Sequence, residues 1–309
     1  MINVLFAARS ESWDAYRDAL PAAFAEAGLA VDLRREFPPD EVDYIVYAPN
    51  SGIRDFRPFS RAKAVLNLWA GVEDVVYNQT LTIPLCRMVE DGLTEGMVEW
   101  VTGHVLRHHL GIDDFLARQD GTWSPAYPPL ARDRRVAMLG LGELGAACAR
   151  SLARLNFRVT GWSRTQKRIE GIACLAGEEG LEQALTGAEI VVLLLPLTSA
   201  TEDLMNAARL SLLASGAAIV NPGRGPLIDD AALLAALDAG QVGHATLDVF
   251  RTEPLPPDHP FWAHPKVTVT PHVASATRPR TASLSIAENI RRGEAGHPFV
   301  NVVNRVNGY

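Results

Sequence analysis

The chain is predicted to be an α/β protein made of two doubly wound parallel-sheet domains. Three observations carry that prediction. Short apolar runs alternate with helical patterns along most of the 309 residues, as in a parallel sheet covered by helices. That length suffices for two domains, each with its own core. The glycine-rich turn Gly140-Leu-Gly-Glu-Leu-Gly145 follows an apolar run and opens an Ala-rich helical pattern, the strand–turn–helix order of a mononucleotide-binding unit.

In the first part, residues 2–8 read as a strand and 13–27 as one helix closed by Gly28. Residues 29–34, 44–48, 64–68 and 83–87 read as further strands, giving a small parallel sheet covered on both faces. No G-x-G-x-x-G occurs here, which places a dinucleotide site elsewhere. Residues 94–110 read as one long helix: Met97, Trp100, Val101, Val105 and Leu106 recur at helical spacing and Gly111 closes it. His104 and His108 stand at i, i+4 with His109 beside them. No third-ligand motif accompanies them, so a packed helix is expected rather than a metal pair. Residues 119–129, with Gly121, Pro125, Pro128 and Pro129, form a loop.

The second domain begins at Arg134 and Arg135, ahead of a buried strand at 136–139. Gly140 makes the tight turn, Gly142 lets the backbone approach a pyrophosphate, and Gly145 lets the helix pack close on the sheet. The backbone of this turn, with Leu141, Glu143 and Leu144, offers free N–H groups and a positive dipole end to the phosphate. The next strand, 158–163, decides which dinucleotide is bound. An NAD site places an acid at its end; here the chain reads Trp162-Ser163-Arg164-Thr165-Gln166-Lys167-Arg168, with three cations and no acid. Charge-assisted bonds of about 1.5–3 kcal/mol from Arg164 and Lys167 or Arg168 would favour a 2′-phosphate by about ten- to a hundredfold. Ser163, Arg164, Thr165 and Lys167 are therefore cofactor candidates. NADPH/NADP is expected in preference to NADH/NAD. Residues 190–195, 217–221, 244–250 and 267–270 complete six strands, with a helix at 229–239 before Gly240. A last helix near 281–292 returns the chain to the first domain, leaving 299–309 as a tail. The domains are thus 1–95, completed by 280–309, and 96–279.

The net charge of −7 argues against nucleic acid or an anionic membrane as partner. An anionic substrate must be drawn in by local cations. Cys86, Cys148 and Cys174 are scattered, with no C-x-x-C, which fits a reducing cytoplasm. The first residues lack a signal-peptide pattern, and no apolar run approaches the roughly 20 residues needed to cross a bilayer.

In a doubly wound sheet, ligands sit outside the carboxyl ends of the strands. Those ends read Leu195-Pro196-Leu-Thr198, Asn221-Pro222-Gly223-Arg224-Gly225, Asp248-Val-Phe-Arg-Thr-Glu253-Pro254 and Thr270-Pro271-His272. Arg224, Glu253 and His272 answer the needs of carbonyl reduction. Hydride arriving at a ketone carbon leaves charge on oxygen, so a proton donor must stand within reach; His272 is the candidate. A carboxylate such as Glu253 favours the protonated ring and fixes its orientation. Arg224 can hold a carboxylate or polarise the carbonyl through its planar fork. His244, His259 and His264 lack such placement and read as structural.

These pieces, with Ala70-Gly71-Val72, resemble the D-isomer-specific 2-hydroxyacid dehydrogenase family over essentially the whole chain. Trp162-Ser163-Arg164-Thr165, Leu255-Pro-Pro, Phe261-Trp262-x-His-Pro265 and Gly308-Tyr309 are most similar to its short, NADPH-preferring bacterial glyoxylate/hydroxypyruvate reductase branch. The resemblance implies a flavodoxin-like substrate domain and a Rossmann dinucleotide-binding domain that close over a small anionic 2-ketoacid, in a homodimer. It implies that Arg224 binds substrate, Glu253 pairs with His272, and His272 donates the proton. The N–H groups of Ala70, Gly71 and Val72 would hold the substrate carboxylate, and Asp248 would bond the nicotinamide carboxamide. It also assigns Leu195, Pro196, Thr198, Asn221, Pro222 and Gly223 to the cofactor. Two departures stand out. Gly223 replaces the usual Ala or Ser before the arginine, and Trp69 precedes Ala70-Gly71 where smaller residues are common. Trp69 either restricts the substrate side chain or belongs to the core. The rivals are a reductase of a bulkier 2-ketoacid and a cofactor-sensing interaction protein.

Overall fold

A computed structural model describes residues 1–309. The chain divides into two compact units, Met1–Leu93 with Ala276–Tyr309, and Thr94–Ser275. No helix is long and apolar enough to cross a membrane.

The first unit is a five-stranded parallel sheet: β1 (Ile2–Ala7), β2 (Val31–Arg34), β3 (Tyr44–Tyr47), β4 (Ala64–Asn67) and β5 (Leu85–Cys86), in the order β2-β1-β3-β4-β5. That order is the flavodoxin-like one. The single helix expected at 13–27 is instead two, α1 (Ser10–Tyr16) and α2 (Ala19–Glu26). Pro21 accounts for the break. In a continuous helix its ring would meet the carbonyl four residues back and its missing N–H would cost a bond; in the first turn of α2 neither matters. Both faces of the sheet are covered, as expected, but only one of them by helices. Between β3 and β4, and between β4 and β5, the chain forms no α-helix. Loop residues Phe56, Val72, Val75, Val76 and Leu81 cover the other face, packed on Ile45, Tyr47 and Val65.

The second unit opens with α3 (Asp91–Leu110), which crosses the boundary between the units and starts three residues before the expected helix. Glu90 explains the earlier start: its carboxylate accepts the N–H groups of Gly92 and Leu93 at 2.6 and 2.7 Å, satisfying donors that a helix start leaves free. Gly111 closes α3 in the left-handed region (φ 66°) and leads into α4 (Ile112–Ala117), a short helix with no expected counterpart. The 119–129 stretch carries no regular structure.

Seven parallel strands follow: β6 (Arg135–Leu139), β7 (Arg158–Ser163), β8 (Ala173–Ala176), β9 (Ile190–Leu193), β10 (Ala217–Asn221), β11 (Val242–Leu247) and β12 (Val267–Val269), in the order β12-β11-β10-β9-β6-β7-β8. Six of them correspond to expected strands. The seventh, β8, is a four-residue, partly exposed edge strand between Gly171 and Gly177, whose Ala-Cys-Leu-Ala run is short and lacks β-branched or aromatic residues. β11 ends at Leu247, so 248–250 belong to the loop beyond it. The helices are α5 (Glu143–Arg154), α6 (Gly177–Leu185), α7 (Ala207–Leu210), α8 (Asp230–Asp238) and α9 (Pro260–Ala263). Asp229 caps α8 by accepting the N–H groups of Ala231 and Ala232. On one face of the sheet, Cys148, Ala149 and Leu152 of α5 and Val101 and Val105 of α3 are buried with Val136, Met138 and Val192. On the other, Leu181 of α6 and Leu233 and Leu237 of α8 join Leu139, Val191 and Ile219. Each fully buried Leu or Val contributes about 1.5–3 kcal/mol to these layers.

The chain then rejoins the first unit through α10 (Pro279–Glu294). Ala282, Ile286, Ala287 and Ile290 of α10 pack with Leu20 and Phe24 of α2 over Val4, Phe6 and Val46.

Candidate active site

The glycine-rich turn is built as its residue types require. Gly140 sits at φ 105°, and a Cβ there would lie 2.3 Å from the Leu194 carbonyl oxygen. A Cβ on Gly145 would lie 1.8 Å from the Gly140 oxygen, so α5 packs on the turn only because neither residue has a side chain. Gly142, by contrast, faces open space and stands at the N-cap of α5. Free N–H groups, a helix start and room in front of Gly142 fit a pyrophosphate. Leu141, 4% exposed, packs in the core against Gly161 instead of facing outward. At the end of β7, the buried Ser163 donates its hydroxyl to the Thr165 carbonyl at 2.8 Å. That bond shapes the turn on which Arg164, Thr165 and Lys167 are exposed.

Three adjacent strands deliver the candidate groups at their carboxyl ends. Arg224 follows β10, Glu253 follows β11 and His272 follows β12. Glu253 Oε2 lies 2.7 Å from His272 Nδ1, while its Oε1 accepts the Phe250 N–H at 2.9 Å. The His272 side chain is 53% exposed, so its ring is open to a ligand while one edge is held. Gly225 locks the Arg224 loop to its neighbour: a Cβ there would fall 2.0 Å from the Phe250 carbonyl carbon. Asn221 braces the same loop, donating to the Arg224 carbonyl at 2.9 Å and accepting the Gly223 N–H at 3.1 Å. Gly223 itself has little room, since a Cβ would meet the Leu193 oxygen at 2.8 Å. This loop is therefore drawn closer to β9 than an alanine or serine would permit without a shift.

Asp248 is fully buried (0% exposed) and Asn221 nearly so (1%). Asp248 organises the histidine loop. Its carbonyl accepts the His272 N–H at 2.8 Å, and its carboxylate accepts the N–H groups of Val273 and Ala274, each at 2.9 Å, and the Thr270 hydroxyl at 2.5 Å. Three successive N–H groups thus converge on one residue, holding His272 in the left-handed region at φ 55°. A non-glycine residue adopts that conformation only at a cost of about 1–3 kcal/mol, which these bonds offset. The sequence did not single out Thr270, Val273 and Ala274 for this work. Their signal was the run Thr270-Pro271-His272 itself. Pro222 and Gly223 are also buried, while Leu195, 8% exposed, joins the core. Thr198 turns its backbone N–H to Thr201 Oγ1 at 2.8 Å, shaping the loop after β9 beside Pro196.

Residues 102–274 match the family described as D-isomer specific 2-hydroxyacid dehydrogenase, NAD binding domain. That match spans more than half of the chain. The chain belongs to the D-isomer specific 2-hydroxyacid dehydrogenase family. As a member it is an NAD(P)-dependent oxidoreductase interconverting a 2-hydroxyacid and its 2-ketoacid. It is 40% identical over 255 residues to glyoxylate/hydroxypyruvate reductase A of Yersinia enterocolitica, covering 80% of this chain and 82% of that one. Among solved structures of the family, a 2-hydroxyacid dehydrogenase from Xanthobacter autotrophicus Py2 in complex with NADPH and MES is 44% identical. Its TM-score is 0.92, with 100% of this chain and 99% of that one covered. An NADPH-dependent glyoxylate/hydroxypyruvate reductase from Sinorhizobium meliloti, in complex with NADP and sulfate, is 34% identical with a TM-score of 0.83, covering 100% and 99%.

In the first unit, Trp69 is 42% exposed and so is no core residue. Val72 is buried, and Ala70 and Gly71 are partly so. Of the histidines outside the site, His108, His109, His244, His259 and His264 have internal partners, while the buried Nδ1 of His104 has no hydrogen-bond partner. His108 Nε2 meets Thr246 Oγ1 and His244 Nε2 meets Thr268 Oγ1, each at 2.9 Å. His259 and His264 accept backbone N–H groups through Nδ1. His109 packs edge-on to Phe157, and His104 lies against Trp100. Burial pushes His108 down to about 3, and lowers His104 and His244 as well.

Proposed function

We propose that the protein reduces a small 2-ketoacid, glyoxylate or hydroxypyruvate, to the 2-hydroxyacid with NADPH. The observation that carries this reading is the His272–Glu253 pair, 2.7 Å apart and open to ligand beside the loop of Arg224. The turn Gly140–Gly145 and α5 would hold the pyrophosphate, and Arg164 with Lys167 the 2′-phosphate. The chemistry supplied by the bound nicotinamide is a hydride for the keto carbon. His272 gives its proton to the carbonyl oxygen through Nε2, because Nδ1 is engaged by Glu253. Glu253 fixes the orientation of the ring and which nitrogen faces the substrate. Arg224 binds the substrate carboxylate and polarises the carbonyl. The N–H groups of Ala70, Gly71 and Val72 are the second carboxylate contact, and the exposed Trp69 limits the substrate to two- or three-carbon acids.

The names and ligands of the relatives support the same substrate class and NADPH. A homodimer is part of the proposal: Trp123 and Tyr127 are 95% and 90% exposed on the 119–129 stretch, and apolar rings so placed fit a protein interface. Sedimentation at micromolar concentration tests it, with a monomer contradicting the assembly. A cytoplasmic setting fits the three free cysteines.

The test of function is steady-state NADPH oxidation with glyoxylate, hydroxypyruvate, pyruvate and a branched 2-ketoacid, repeated with NADH. Highest kcat/KM with glyoxylate or hydroxypyruvate and NADPH is expected. Preference for the branched acid would favour a bulkier substrate. Tight NADPH binding with no turnover on any of them would favour a cofactor sensor.

A further inference from the structure

The segment beginning at Trp69 is held from two sides. Asn67, 1% exposed at the end of β4, donates through Nδ2 to the carbonyls of Trp69 and Gly71 at 2.8 and 2.9 Å. Beyond Gly71 the chain turns tightly, and the N–H groups of Val75 and Val76 both reach the Val72 carbonyl, at 3.0 and 2.8 Å. The far side is held by Arg305, 229 residues away in the C-terminal tail. Its Nε donates to the Val76 carbonyl at 2.9 Å, its Nη2 to the Asn78 carbonyl at 2.6 Å, and its Nη1 to the Leu81 carbonyl. One guanidinium therefore gathers three carbonyls of a single loop, a task suited to its planar fork of donors.

The tail that presents Arg305 is itself fixed. Val302 bridges antiparallel to Cys86, the Val303 N–H donates to Leu85 and the Arg87 N–H to Asn301, and Val303 is buried. Past that anchor the last residues fold back on themselves. Asn304 Oδ1 accepts the N–H groups of Val306 and Asn307 at 3.1 Å, and the Asn304 N–H reaches the Tyr309 carbonyl. The end of the chain is thus a built part of the first unit, with one cation aimed at one loop.

We infer that Arg305 is a positioning residue for the substrate. Through the loop 72–81 the C-terminal tail sets the backbone of Ala70, Gly71 and Val72. The inference rests on the proposed reading of those three residues as a cradle for the substrate carboxylate. Arg305 touches neither substrate nor cofactor; it acts through the loop.

The experiment compares Arg305→Ala, Arg305→Lys and Val72→Pro with the unaltered protein, using glyoxylate kinetics, NADPH binding by fluorescence and thermal unfolding. Misplacing a binding group by about an ångström costs up to about a hundredfold. Arg305→Ala is therefore expected to raise KM for glyoxylate about ten- to a hundredfold, with NADPH affinity unchanged. Arg305→Lys keeps the charge but not the fork, and should fall between; it carries the same test if the alanine variant does not fold. Val72→Pro deletes one cradle N–H and should raise the same KM. Raised KM in Val72→Pro alone would overturn the role of Arg305 and leave the cradle standing. Unchanged KM in both would overturn the cradle, and the inference with it. A loss of NADPH affinity and kcat in step with a lowered Tm would also overturn it, marking Arg305 as a general stabiliser.

Discussion

Glu253 binds His272 Nδ1 with one carboxylate oxygen at 2.7 Å and the Phe250 N–H of its own loop with the other at 2.9 Å. The carboxylate is therefore fixed before it orients the imidazole, and the ring is aimed by the fold and not by the ligand. Glu253→Gln keeps the shape and one acceptor but removes the negative charge beside the ring. It should lower kcat with glyoxylate by about ten- to a hundredfold, the lower part of the range for acid–base catalysis, and change the pH–rate profile. A variant with the original kcat and profile would show that the contact serves structure alone.

Asp248 gives a second prediction. Its carboxylate accepts two backbone N–H groups and a hydroxyl with no surface left over. Asp248→Asn turns one acceptor into a donor facing an N–H, and an unmet buried group of that kind costs about 1–3 kcal/mol. Tm should fall, and kcat with it as His272 loses its backbone setting, while NADPH affinity holds. Weakened NADPH binding with unchanged Tm would return Asp248 to the role of cofactor ligand.

The cations beyond β7 give a third. Arg164→Ala combined with Lys167→Ala should raise KM for NADPH about ten- to a hundredfold and leave that for NADH nearly constant. Equal effects on both cofactors would remove these residues from the 2′-phosphate.

A fourth concerns pH and stability. His108 lies among His104, His244, Arg107 and Asp113, and burial is the main cause that lowers it to about 3. An unfolded imidazole titrates near 6.5, so between those values the unfolded chain binds more protons than the folded one. Stability from this group is fully present above about 6.5 and is lost as pH falls through the window toward about 3. Tm measured from pH 7 down to pH 4 should fall, and His108→Gln should flatten the fall. Parallel curves would show that other groups govern acid unfolding.

The second unit was the more legible of the two in the sequence. Gly140 and Gly145 have local steric reasons, Gly142 leaves room at the start of α5, and the strands before and beside them, β6 and β9, are apolar runs. β8 escaped because four partly exposed residues between glycines carry no period. The split of α1 from α2 was signalled by Pro21, but the apolar pattern runs across it. The Glu253–His272 contact was legible because both residue types stand at strand ends on the face the glycine-rich turn selects. The braces were not. What Asp248 or Arg305 bonds depends on which backbone groups the fold carries to it, such as Val273 from 25 residues away and Val76 from 229, and no local pattern records that.

The central claim is that His272 delivers the proton in NADPH-dependent reduction of a small 2-ketoacid. Its most direct test is His272→Asn, assayed with glyoxylate alongside NADPH binding. The account expects kcat/KM to fall about 10²–10⁴-fold with the NADPH Kd unchanged. A variant that retains the kcat/KM of the unaltered protein would contradict it.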